Sequence, residues 1–491
     1  MPRSDAGVGL AHLPGSAGRA FGAVVVPLLA AALLFVLLTS VPALYALAAG
    51  LAVAGFYAVY RLPVISLSAL VVFTVTPMLF QMTSRSPLPE VVVGGRVSLG
   101  DLIMTAMLLA VVLRAAALLA RSRRRSPAAT TAAAVAFGAL LLWLAFSVAR
   151  NLAPYGVHTI GQFRYSYLLL AAPAYAALFL RTSTQRRRFV AFLLVYSVGV
   201  TLAVVPLIAS LKGWSVGPGS RFFPSSVSLG LLYGWAALFV LSERGALPVP
   251  RWLARGLALP VAGLLVLDSH RSVWLAALAM LALALLALRA ATTTVVRLIT
   301  LTAAAAVALL TVATLWGFDV FGYILVRGSA IVAPSTGDTS AWRLRLWRAN
   351  LARWREHPLT GDGFGGYYAG NATVGVAQTM MPHSLYVQTL VVLGLVGLVL
   401  LVGVVAACAV VLWRSRRAAP GAGRAPLDAA LPVVGLLVLG GALAFWSVYP
   451  LDLYSCLWVG VALAAAAGLR GAREGPRASA PPTGMAPGSD P

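Results

Sequence analysis

Between Arg343 and Gly397 the chain carries residue types that could do chemistry. It reads Arg343-Leu344-Arg345-Leu346-Trp347, then His357-Pro358-Leu359-Thr360-Gly361-Asp362-Gly363, then Pro382-His383-Ser384-Leu385-Tyr386-Val387. Apolar spans avoid arginine, histidine and tight-turn glycines, yet here these groups lie between two such spans. The combination suits the mouth of a membrane cavity that holds an anionic ligand. Arginine fits the task because its planar fork makes two charge-assisted hydrogen bonds to a phosphate. His383 can take or give a proton near neutral pH, and Pro382 before it favours a defined helix start.

Arg343, Trp347, Asn350 and Trp354 fall at helical spacing, so they share a face. The three tryptophans of Trp342–Trp354 mark an interfacial amphipathic helix. A second break, Asp268-Ser269-His270-Arg271-Ser272, interrupts the apolar stretch from Leu257 to Leu288. An ionisable residue at membrane depth points to function. The plainer account is an arginine at a helix end, paired with Asp268. Arg164, in Gln162-Phe163-Arg164-Tyr165, and Arg221, in Gly219-Ser220-Arg221-Phe222, are further candidates for sugar or phosphate contact.

Other patterns carry less. Gly361-Asp362-Gly363-Phe364-Gly365-Gly366 has the text of a dinucleotide fingerprint, but no strand precedes it and no βαβ unit surrounds it. It reads as a turn that ends the preceding helix. Cys408 and Cys456 have no neighbours at metal-ligand spacing and read as structural. No Asp-x-Asp pair occurs, so a metal site for a nucleotide-sugar donor is not expected. No other cofactor motif is present.

The elements that must position these groups are apolar. Of 491 residues, 60% are hydrophobic and 10% charged, and the mean hydropathy is +0.90. Soluble domains carry about 25% charged residues. Runs of ~20 apolar residues, each able to cross a ~30 Å hydrocarbon core, recur at 21–40, 42–60, 63–82, 99–119, 129–149, 163–180, 189–211, 225–242, 254–269, 272–288, 298–316, 384–413, 427–447 and 453–469. The expected fold is all-α, a polytopic transmembrane helical bundle of about 12–14 spans with one long extracytoplasmic loop containing short amphipathic helices. The first run reads as a retained start-transfer helix rather than a cleaved signal.

The net charge of +24 does not indicate nucleic acid. Most arginines sit in the two tails and in every second loop, which is the positive-inside pattern. This places both termini in the cytoplasm, and places 83–98, 150–162, 212–224, 268–271 and 317–383 outside. The expected organisation is a cytoplasmic tail at 1–20, spans with short loops at 21–316, a long extracytoplasmic catalytic loop at 317–383, spans at 384–470 and a disordered cytoplasmic tail at 471–491. Arg343 and Arg345 on the outer loop break the charge rule and call for a local anionic partner.

Together these segments resemble the O-antigen ligase and polymerase superfamily of bacterial surface-polysaccharide enzymes. The resemblance rests on Ser269-His270-Arg271-Ser272, on Arg343 to Trp347 followed by His357-Pro358-Leu359-Thr360-Gly361-Asp362-Gly363, and on His383-Ser384-Leu385 leading to Gly394 and Gly397. It covers about residues 257–413 by motif. Ser384 stands where the family has Asn, and Val392 where it has Glu.

The resemblance implies a metal-independent membrane glycosyltransferase of the C type in the bacterial inner (plasma) membrane. Its donor would be an undecaprenyl-diphosphate-linked glycan and its acceptor another saccharide. Attack of an acceptor hydroxyl on the anomeric carbon builds negative charge on the departing diphosphate. Arg271 and Arg343 would receive that charge, and His383 would assist the hydroxyl. Arg345, Arg164, Arg221, His270, Trp347 and Ser384 would contact substrate. The alternative is a transporter or flippase of lipid-linked sugars, which would be expected to carry charge through the membrane midplane.

Overall fold

A computed structural model of the chain describes residues 43–80, 92–93, 97–121, 128–211, 221–268, 270–287, 339–365, 382–416 and 425–471, together with residues 300, 304, 307 and 311. The span expected at 21–40, most of 298–316, the loop segments 317–338 and 366–381, Ser269 and the tail beyond 471 lie outside the described residues. The chain forms two compact units, residues 1–62 and 63–491. In the first, the described element is α1 (Ala43–Arg61).

The second unit is helical because lipid offers a backbone no other partner. Its elements are α2 (Pro63–Phe80), the two-residue strands β1 (Val92–Val93) and β2 (Val97–Ser98), α3 (Leu99–Arg121), α4 (Ala128–Tyr155) and α5 (Val157–Tyr167), then α6 (Ala171–Phe179), α7 (Ser183–Leu194) and α8 (Thr201–Leu211). There follow α9 (Ser225–Glu243), α10 (Arg251–Gly256), α11 (Ala258–Leu267), α12 (Arg271–Ala287), α13 (Thr339–Trp354), α14 (Leu385–Arg416), α15 (Pro426–Phe445) and α16 (Leu453–Gly471). β1 and β2 pair antiparallel, Val92 opposite Ser98, in the loop expected outside. Among the described residues seven helices are long and apolar enough to cross a membrane: α2, α3, α4, the continuous run Ser183–Leu211, α9, α14 and α15. Three shorter apolar helices accompany them. α9 is 94% and α15 83% buried over their apolar lengths, and α16 is buried at almost every position from Leu453 to Ala466, so these three helices form the centre around which the others pack.

Beyond the π-helical segment Val195–Val200 within 189–211 and the break at Gly394 within 384–413, two expected spans divide into separate helices. The run 163–180 divides into α5, a 3-10 turn at Leu168–Leu170 and α6. Pro173 in the first turn of α6 explains the break, since it lacks an N–H and its ring collides with the carbonyl four residues earlier. The run 254–269 divides at Leu257 into α10 and α11.

α12 runs antiparallel to α15. A Cβ at Gly440 would meet Leu283 at 2.7 Å, and one at Gly441 would meet Met280 at 2.8 Å. Arg271, first in α12, and Phe445, last in α15, therefore lie at one end of the bundle. The opposite end of α15 is held by a buried bidentate ion pair, in which Arg186 Nε and Nη2 donate to Asp428 at 2.7 and 2.6 Å.

The central irregularity is in α14. Gly394 has φ +69 and ψ −171, a backbone region essentially confined to glycine. It lies nine residues into the helix, or ~13 Å along its axis. Such a break frees carbonyls and amides that must find partners. The turn 358–363 supplies them: Asp362 N donates to Val391 O at 2.8 Å, Gly363 N to Val392 O at 2.9 Å, Leu395 N to Pro358 O at 2.9 Å and Val396 N to Leu359 O at 3.2 Å. Trp143 of α4 caps a further carbonyl, donating from Nε1 to Leu393 O at 3.0 Å. A Cβ on Gly394 would meet Leu359 O at 2.1 Å. Gly394→Ala is therefore expected to destabilise the fold by about 1–3 kcal/mol through backbone strain, with more from displacement of the turn. A lowered melting temperature of the detergent-solubilised protein checks this, and an unchanged one contradicts it.

Candidate functional site

α13 carries the first arginines. Leu346 and Asn350 are buried on one face, and Asn350 Nδ2 donates to Leu346 O at 2.7 Å. Arg343 and Trp347, one turn apart, are half-buried beside that face, whereas Arg345 is exposed. The Nε of Arg343 and the Nε1 of Trp347 are buried and have no hydrogen-bond partner among the described residues. Among the described residues, two N–H donors one helical turn apart thus lack an acceptor.

The turn after α13 is fixed from several sides. Trp354 Nε1 donates to Pro358 O at 2.9 Å, and Arg353 of α13 pairs with Asp362. Asn151 Nδ2 donates to Asp362 O and Phe364 O, both at 2.8 Å. Arg150 Nη2 donates to Gly361 O at 2.9 Å. Phe364, fully buried, meets Phe163 and Tyr167 edge-on at 5.7 and 5.6 Å. Gly363 has φ +78, and a Cβ there would meet Asn151 at 2.3 Å. The glycine run does more than end α13. It is a wedge that seals the break in α14.

His383 precedes α14, whose start is anchored to the end of α15: Leu385 N donates to Trp446 O at 2.9 Å and to Tyr449 O at 3.1 Å. Ser384 is buried, and its Oγ accepts from Val387 N at 3.4 Å, an N-cap arrangement. The His383 imidazole meets the Tyr449 ring edge-on at 5.7 Å. The Arg343 guanidinium lies over that same ring at 5.0 Å. Arg343 and His383, far apart in sequence, therefore converge on one aromatic side chain. Burial first, and then the positive charge of Arg343, hold the His383 imidazole below its ordinary protonation range, so the neutral form is favoured at neutral pH.

The second group gathers at the turn between α11 and α12. Asp268 and His270 are buried. Asp268 Oδ1 accepts from Phe222 N and Phe223 N at 2.7 and 3.1 Å, and Ser228 Oγ bonds to its other oxygen. His270 Nε2 lies 2.8 Å from Phe223 O and 3.3 Å from Asp268 Oδ2. Asp268 and His270 thus clamp the segment 221–224 to this turn, which joins the segments bearing Arg221 and Arg271, both half-buried. Arg271 shares the Phe445 end of the helix pair described above. Arg164 pairs with Asp101 at 3.2 Å. Asp101 in turn accepts from Ser98 N and Oγ at 2.9 and 2.7 Å at the start of α3.

Sequence reasoning missed Tyr449, Arg150 and Asn151. Arg150 carried a usable signal, since it lies at the end of its span that the arginine pattern expects outside, where it departs from the charge rule as Arg343 does. Tyr449 carried none, because one tyrosine at a span end is ordinary interfacial composition.

No curated protein matches the chain. Residues 256–402 match the family model described as O-antigen ligase, a range that holds Arg271, α13, the glycine wedge, His383 and the Gly394 break. That match identifies residues 256–402 as an O-antigen ligase domain, in agreement with the resemblance read from the motifs of this segment.

Proposed function

We propose that, within the ligase or polymerase type of polysaccharide assembly that the family match supports, this multi-pass membrane protein transfers a glycan from an undecaprenyl-diphosphate-linked donor to a saccharide acceptor. The observation that carries the reading is the convergence of Arg343 and His383 on Tyr449, with the Nε of Arg343 and the Nε1 of Trp347 buried and unpartnered among the described residues. A cationic donor beside a neutral imidazole is what this displacement requires. An acceptor hydroxyl oxygen forms a bond to the anomeric carbon, and the bond from that carbon to the diphosphate breaks. The hydroxyl proton passes to His383. The diphosphate stays on its carrier lipid, and the charge it gains is met by Arg343 and Arg271.

In this reading arginines neutralise the leaving group and no metal is used. Arg345, Trp347, Ser384, Arg221, His270 and Arg164 line or support the substrate path. The residues 317–383 form the catalytic loop on the extracytoplasmic side of the inner (plasma) membrane, and both termini are cytoplasmic. Support for that orientation comes from the arginine-rich alternate loops and from the placement of the Arg186–Asp428 pair at the end of α15 opposite Tyr449.

Gene deletion and complementation test the reading. Loss of surface polymer with accumulation of lipid-linked glycan on the outer leaflet, restored by the wild type and not by Arg271→Ala, is expected. Glycan trapped on the cytoplasmic leaflet would instead identify a flippase and end the transferase assignment.

A further inference from the structure

The His383–Arg343 pair is held by residues that the family motifs do not include. Tyr449 lies beyond the matched range 256–402, in the short connection between α15 and α16. Three features fix its ring. Phe445, one turn earlier, stacks on it at 4.8 Å with 10° between planes. The carbonyl of Tyr449 accepts from Leu385 N at 3.1 Å, which ties the connection to the residue that opens α14. Buried Asp452 closes the connection from below: it accepts from Trp446 Nε1 at 3.2 Å, from Ser455 N at 2.7 Å and from Ser455 Oγ at 2.5 Å. A ring held in this way is a fixed surface. Arg343 lies over it, and His383 meets it edge-on.

An arginine side chain has many rotamers, and one aimed at a diphosphate loses affinity and rate if it wanders. A cation above an aromatic face is attracted to the ring's electron-rich surface, so its position is set without consuming its N–H donors. Edge-on packing restrains an imidazole in the same way.

We propose that Tyr449 is the positioning residue of the site: its ring fixes the Arg343 guanidinium and the His383 imidazole relative to each other, so that one segment outside the family motifs sets the geometry of two within them. The kinetic part of this inference rests on the transferase reading. The geometric part does not.

The test therefore has two arms on the full-length protein reconstituted in lipid nanodiscs. The first needs no substrate. Modification of His383 by diethylpyrocarbonate is followed across pH by mass spectrometry of its peptide. Tyr449→Leu should move the midpoint upward, because His383 gains solvent and Arg343 is released from its place. Tyr449→Phe, which keeps the ring, should leave it unchanged. An unmoved midpoint in Tyr449→Leu, or an equal movement in Tyr449→Phe, overturns the proposal.

The second arm measures glycan transfer. Tyr449→Leu should lower kcat about tenfold, the size of effect a partly desolvated cation–π contact carries, with a smaller change in KM. Tyr449→Phe should retain activity. Added to Arg343→Ala, Tyr449→Leu should cost less than it does alone, since coupled residues are not additive and only the placement of His383 is then left to lose. Full additivity, or normal kcat in Tyr449→Leu, overturns it. If Tyr449→Leu fails to fold, Tyr449→Met keeps the volume without the ring and takes its place. Should neither Arg343 nor His383 matter for transfer while the first arm gives the expected midpoints, the transferase roles fall and the geometric part stands.

Discussion

Arg343→Ala is expected to lower glycan transfer by about 10²–10³, the usual effect of removing one preorganised donor to a developing oxyanion. The measurement is kcat in reconstituted protein with a lipid-diphosphate-linked donor, with membrane abundance of the variant as the control. The size follows from placement. The Nε of Arg343 is buried, and its guanidinium is set over Tyr449 at 5.0 Å. A positioned charge of that kind needs little reorganisation when the diphosphate departs. Arg343→Lys keeps the charge and can still sit over the ring, but it loses the planar fork that grips a phosphate with two parallel hydrogen bonds, so only part of the rate should return. Arg345 is exposed on the same helix and is screened by water and salt. Arg345→Ala should therefore cost a few-fold at most. Wild-type kcat in Arg343→Ala would remove the guanidinium from the mechanism.

The helical class was legible because the solvent decides it. Where apolar runs recur, lipid leaves the backbone only its own hydrogen bonds, so most expected spans coincide with helices where the chain is described. Local breaks were less legible. Pro173 gave a stereochemical warning that hydropathy averaging conceals. Gly394 gave almost none, because glycines are common in membrane helices. Its positive φ is tolerated through partners from the distant turn 358–363, and no helical period records such partners.

The site divides in the same way. Arg271, Arg343 and His383 stood out because charge and imidazole are costly at an apolar boundary. Which of them meet was not legible. Arg343 and His383 meet through Tyr449, and that contact depends on how α15 ends, how α14 starts and how Asp452 closes the connection between α15 and α16. Asp268 was expected to be the partner of Arg271 in the plainer account. Its carboxylate also holds the backbone of Phe222 and Phe223, a role that spacing within one turn cannot reveal because these partners lie in another loop.

His383→Ala should lower kcat by about 10²–10⁴, the range over which a positioned general base contributes. Its pH dependence is the sharper result. A base must be neutral to accept a proton, so the rate is present above the histidine's pKa and is lost as pH falls through it. Burial and Arg343 hold that pKa below the ordinary value, which is ~6.5. The acid limb of kcat/KM in the wild type should therefore fall below pH ~6.5. Arg343→Gln removes a positive charge that opposes protonation, so the limb of its residual activity should move to higher pH. In His383→Ala the limb should disappear and the slow remaining reaction should become flat across this range. The diphosphate adds a further expectation with a definite sign. Its negative charge beside Arg343 offsets the field felt by the imidazole, so the limb seen in kcat, which reports the bound complex, should lie above the limb seen in kcat/KM. An acid limb that persists unchanged in His383→Ala would assign the titration to another group and take the base role away from this residue.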